Sequence, residues 1–257
     1  MWVYKSGRSE DKQLVYYIYE ANRSHQNVMN HLEGFSGICQ TGGYQAYDKL
    51  KNITHAGCMI HARRKFIEVV DSMPKGYDFT NTITGTVITS MKKLFAIEKK
   101  LGNANYDEIL LTRQRESKPI FDLMMEEVHT ASKSRFLTEK VKSAMTYLIN
   151  QEIKIREYLN DGRIEISTNG IERAIRPFTI GRNNWIFCNT PHGAKVSSFY
   201  YSLIESAKAN KLDVYKYIEY LLTEIKDKKL TEENLEKLMP YSSNLPEYLK
   251  YHSKKKK

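Results

Sequence analysis

A chain of 257 residues with 41% apolar side chains can bury a sizeable core, as one large domain or two small ones. No apolar run approaches the roughly 18–20 residues of a bilayer span, and the opening Met1-Trp2-Val3-Tyr4-Lys5 lacks the order of a signal peptide, so a cytoplasmic protein with no membrane partner is expected. With 40 Lys and Arg against 30 Asp and Glu, the net charge of +10 favours a polyanionic partner, nucleic acid before membrane, while three scattered cysteines (Cys39, Cys58, Cys188) argue against a disulfide framework.

Along the chain, Trp2-Val3-Tyr4 and Leu14 to Tyr19 are β-rich and alternating, and the polar stretch Lys5 to Asp11 between them reads as a hairpin loop. Ser24 to Leu32 is helical, with Gly34 as its stop. Gly37 to Thr41 predicts a brief strand, Tyr44 to Lys51 a short helix, and Ile53 to Met59 a further strand. Ile60 to about Asp71 is helical and breaks at Pro74-Lys75-Gly76. Residues 83 to 160 carry apolar stripes at helical spacing, such as Leu94, Ile97 and Leu101, and predict helices without strands.

Asp161-Gly162 then turns the chain. An amphipathic helix is expected over Gly170 to Arg176, ended by Pro177, with Thr179 to Asn189 extended. Gly193 opens a helix whose apolar face reads Val196, Tyr200, Leu203, Ile204 and Ala207. Asp213 caps another helix through Tyr217, Tyr220, Leu221 and Ile225. Beyond residue 240 the chain reads as irregular, and Lys254 to Lys257 as a disordered basic tail.

Three constellations carry chemistry. Glu172, followed by Arg173, Arg176 and Arg182, suits work on DNA: an acid to hold a divalent metal, and arginines to neutralise phosphate. Asn169 and Glu172 also have the spacing of a capping box, so spacing alone leaves two readings. His55, Cys58 and His61 recur every three residues but lack the second ligand pair of a usual zinc site. On the same predicted helix, Arg63, Arg64 and Lys65 form a basic cluster that fits either a solvated face or phosphate contact. The third is Gly42-Gly43, in the place where a strand ends. It matches neither a P-loop nor a dinucleotide fingerprint.

The stretches "GYQAYDKL", "HAGCMIHARRKF" and "STNGIERAIRPFTIGRNNWIFCNTPHGAKVSSFYYSLIESAKANKLDVYKYIEYLL" closely resemble the transposases of the IS66 family of bacterial insertion sequences. The resemblance runs from Trp2 to about Leu249. It implies an RNase H-like α/β fold of the DDE type, a mixed sheet flanked by helices and interrupted by a large all-helical insertion. Two aspartates and a glutamate would hold two divalent ions, normally Mg²⁺, for attack on a DNA phosphodiester.

Carried over, the glutamate falls on Glu172. The second acid belongs in a "Q-[TA]-D-[GA]-Y" step, which here reads Gln40-Thr41-Gly42-Gly43-Tyr44, so Gly42 stands where the family has aspartate. Asp48, within the following predicted helix that rises about 1.5 Å per residue, lies too far along to replace it. The first acid belongs on a strand before "WVY", which this sequence does not contain.

The expectation is a truncated, catalytically inactive copy of a DNA transposase, or alternatively a non-catalytic DNA-binding remnant. Its DNA contacts would come from Arg63, Arg64, Lys65, Arg173, Arg176, Arg182 and Lys195. A homo-oligomer and accessory proteins of the same element are further possible partners. The expected organisation is a core part over 1–72, the helical insertion over 73–160, C-terminal core helices over 161–226 and an extension over 227–257. Without its first strand, the sheet is expected to expose unpaired edges and to be marginally stable.

Overall fold

A computed structural model describes the whole chain except residues 103, 186–187, 227–230 and 252–257, so the Lys254–Lys257 run lies outside the described residues. The chain is mixed α/β and mostly helical, and it divides into two compact units. One unit joins Met1–Arg23 to Asn169–Lys257; the other is Ser24–Thr168. Among the described residues, no helix is long and apolar enough to cross a membrane.

The Ser24–Thr168 unit begins with helix α1 (His25–His31) and strand β3 (Gly37–Gln40). A 3₁₀ turn over Gln45–Lys49 stands where a short helix was expected. Strand β4 (Ile53–Ala56) lies parallel to β3, with Gly37 opposite Ile53 and Gln40 opposite Ala56. It ends three residues before the expected limit, because helix α2 (Met59–Asp71) starts there.

Helices α3 (Ile83–Leu101), α4 (Tyr106–Thr112), α5 (Lys118–Ser132) and α6 (Glu139–Asn160) follow, with no strand among the described residues of this stretch. The stripes read as packing faces do pack: Met59, Phe66, Met91, Leu94, Phe121, Met124, Met125 and Leu148 are all buried in one cluster. Full burial of one such side chain is worth about 1.5–3 kcal/mol.

A π-helical turn, Arg113–Ser117, links α4 to α5 and carries a fully buried arginine. Arg113 forks onto Glu98 at 2.7 and 2.6 Å, and one of its nitrogens donates to the carbonyls of Tyr158, Asp161 and Ile164. A buried charge is tolerated when paired and saturated in this way.

The other unit opens with the expected hairpin. Strands β1 (Trp2–Lys5) and β2 (Val15–Ile18) pair antiparallel, with Trp2 opposite Ile18 and Lys5 opposite Val15. Helix α7 (Asn169–Trp185) corrects the expected stop at Pro177. Proline lies inside it, and Thr179–Trp185 is helical rather than extended, while residues 186–187 of the expected segment lie outside the described residues. Proline costs one intrahelical hydrogen bond. The side chains of Ile175 and Phe178, packed on Val15, Tyr17 and Ala174, hold the helix on both sides of it.

Helix α8 (Pro191–Ala209) is capped by the Thr190 hydroxyl and lies along β2. The predicted apolar face is buried only at its C-terminal end: Ala207 is buried and Leu203 packs on the core, but Val196 and Tyr200 are exposed, whereas Ser198 and Ser206 are buried. The reason is the free edge of β2. Ser206 accepts from the Val15 N–H at 2.9 Å and donates to its carbonyl at 3.0 Å. Ser202 accepts from the Tyr17 N–H at 2.8 Å, and Asn210 donates to the Gln13 carbonyl at 2.7 Å. A helix thus supplies the partners that a neighbouring strand would otherwise give.

Helices α9 (Val214–Lys226) and α10 (Glu232–Leu238) complete the unit. The chain beyond 240 is mostly irregular, as expected, yet it is docked. Leu249 is fully buried, and its carbonyl accepts from the Asp213 N–H at 2.7 Å.

Candidate functional site

The Gly42-Gly43 step follows β3 directly, and its two glycines differ. Gly43 has φ +88°, a conformation L side chains rarely adopt, and a Cβ there would lie 2.7 Å from the Tyr147 hydroxyl oxygen of α6. That hydroxyl is fixed, donating to the Gly42 carbonyl at 3.0 Å. Backbone and space both demand glycine at 43. Gly42 has no positive φ. The atoms nearest a Cβ on it belong to one side chain, the His61 imidazole of α2, with Cε1 at 2.7 Å and Nε2 at 2.9 Å. Nothing in the backbone requires glycine at 42.

His61 shares this corner with Cys58, the N-cap of α2. The Thr168 backbone N–H and hydroxyl both donate to the Cys58 sulfur, at 3.2 and 3.1 Å. Burial pushes the thiol up, but hydrogen bonds from His61 and Thr168 outweigh it and bring the thiol down to about 7. Cys39, by contrast, is pushed up to about 11 by burial alone. His55 makes a 3.1 Å hydrogen bond to the Leu50 carbonyl. Among the described residues, no group of three His, Cys, Asp or Glu is placed to hold a metal ion.

Glu172 lies in the first turn of α7 and is half-buried. The helix begins at Asn169, three residues before Glu172. A carboxylate in the first turn of a helix is favoured by the positive end of the helix dipole. Arg173 and Arg176 are exposed and three residues apart, on one face; Arg182 is exposed in the last turn, and Lys195 is exposed early in α8. In the other unit Arg64 is exposed, Arg63 is half-buried, and Lys65 pairs with Glu68 at 3.4 Å. Glu172 with its arginines therefore belongs to one unit, and Gly42, His61 and the Arg63–Lys65 cluster to the other.

The donor chemistry at the glycine step does not fit the pair of divalent ions that the resemblance implies. Position 42 offers no carboxylate, and the volume its side chain would enter holds an imidazole. Two dications about 3.5–4 Å apart need several anionic oxygens between them.

Comparison with known proteins adds a lineage. The family model described as "Transposase IS66 family" matches residues 1–196, and the "IS66 C-terminal element" matches residues 202–241. Two curated relatives come from Sinorhizobium fredii (strain NBRC 101917 / NGR234). The uncharacterized protein y4hP is 29% identical over 240 residues, covering 88% of this chain and 43% of the relative. The uncharacterized protein y4qI is 31% identical over 243 residues, covering 89% of this chain and 43% of the relative. The chain thus spans less than half the length of either. No solved structure matches.

Proposed function

The chain belongs to the transposase IS66 family, and from that membership we propose that it is a DNA-binding member of an insertion-sequence transposition system whose phosphodiester chemistry has lapsed at position 42. The observation that carries this is the contrast between the two glycines. Gly43 is held to glycine by its positive φ and by the Tyr147 oxygen, while Gly42 has no positive φ and its nearest neighbour is a side chain, the His61 ring. A glycine that the backbone does not need, in the family's aspartate position, is a side chain lost.

In this reading Glu172 is the glutamate of a DDE set whose second aspartate is replaced by Gly42, and a set short of that carboxylate has too little charge to seat two Mg²⁺ ions. The hairpin β1–β2 and the parallel pair β3–β4 are read as parts of an RNase H-like sheet, and α3–α6 as the helical insertion within it. What persists is cationic. Arg63, Arg64, Lys65, Arg173, Arg176, Arg182 and Lys195 neutralise DNA phosphates and release their counterions.

Two assays on the same protein test the two halves of the proposal. Gel shifts with duplex DNA at 50 and 200 mM salt should show affinity falling steeply as salt rises; a shift indifferent to salt, or none, removes the DNA-binding half. Incubation with Mg²⁺ and DNA carrying the element's ends should leave the DNA intact. Robust nicking removes the other half.

A further inference from the structure

Helix α9 buries one side and leaves another bare. Tyr217 and Leu221 enter the core formed with Ala207, Leu212, Leu238 and Leu249. Beside them, Tyr215, Ile218, Leu222 and Ile225 follow one another at intervals of three, four and three residues, the spacing of a helix-pairing seam. Ile218 is partly buried against that core, while Tyr215 is 78% exposed, Leu222 70% and Ile225 37%. With Ile218, Glu219, Thr223 and Lys226 they line a shallow depression of about 500 Å³. Scattered exposed apolar residues need no explanation, but exposed ones aligned at pairing spacing do.

The charges along the stripe say what covers it. Glu219 and Lys226 lie on the same flank about two helical turns apart, both exposed, and neither forms an ion pair among the described residues. A second α9 laid antiparallel across the first, about a two-fold axis near Leu222, sets each Glu219 against the Lys226 of the other copy. Symmetry makes that pair twice. The surface is thus complementary to itself in both apolar spacing and charge.

We propose that the α9 stripe is a self-association surface and that its partner is the α9 of a second copy of this chain, paired antiparallel. This does not depend on the loss at position 42 or on any DNA chemistry. One pair of short helices buries less than the roughly 1,600 Å² of a standard interface, so a weak, concentration-dependent dimer is expected.

Sedimentation equilibrium from about 1 to 200 μM at low salt tests it. Glu219→Lys and Lys226→Glu each turn two attractive pairs into two repulsive ones and should each weaken the dimer about tenfold. The double reversal rebuilds both pairs with the signs exchanged and should restore the dimer to within about threefold. Leu222→Asp should give a monomer throughout. All three positions are exposed, so circular dichroism should match the parent chain. A parent chain that is monomeric at every concentration overturns the proposal. So does a dimer indifferent to the single reversals, or one that the double reversal fails to restore.

Discussion

Two adjacent glycines show how much one residue can mean. Gly43→Ala forces a left-handed φ on an L residue and drives its Cβ into the Tyr147 oxygen, so a loss of about 1–3 kcal/mol in urea unfolding is expected. Gly42→Ala should cost less, because no left-handed φ is imposed there and the group it displaces is a side chain, the His61 ring. Equal losses, or the reverse order, would mean that glycine at 42 is structural. Cys58 gives a pH signature. Its folded value of about 7 lies below the ordinary 9.0. The group therefore adds stability that is complete above about pH 9 and is lost as pH falls toward 7. Between pH 7 and 9 the parent chain should gain on the order of 2 kcal/mol relative to Cys58→Ser, and parallel stability curves for the two would contradict the assignment. The oddity of the glycine pair was legible in the sequence. Which glycine the backbone needs was not, because that depends on Tyr147 and His61, far along the chain from the step itself.

At the scale of elements, apolar periodicity located nearly every helix, since a packed helix must bury one stripe. It failed where burial was not apolar. The buried row of α8 contains serines, because the edge of β2 needs hydrogen-bond partners more than it needs methyl groups. Likewise Pro177 reads locally as a stop, but Ile175 and Phe178 pack the chain into helix on both sides of it. The α8 row makes a clear prediction. Ser202→Ala and Ser206→Ala each strand backbone groups of β2 and should each cost about 1–3 kcal/mol. Amide exchange at Tyr17 and Val15, respectively, should speed up in the matching variant. Unchanged protection of both amides would show that the edge is held by something else.

For the whole molecule, the lineage was legible because long motifs survive in order, and the family matches cover most of the chain. The buried anchor of the helical unit was not. Arg113 looks like any charged residue in a helix, and only the fold reveals three carbonyls and Glu98 converging on it. The same holds for the basic residues, whose types are plain in the sequence while their exposure is set by the fold. The loss at position 42 matters only if the site around Glu172 no longer collects metal. Titration of the chain with Mn²⁺ in the presence of DNA, followed by the electron paramagnetic resonance of the free ion, measures that directly. The account predicts no stoichiometric uptake at micromolar Mn²⁺. Two ions bound tightly per chain, lost in Glu172→Gln, would contradict it.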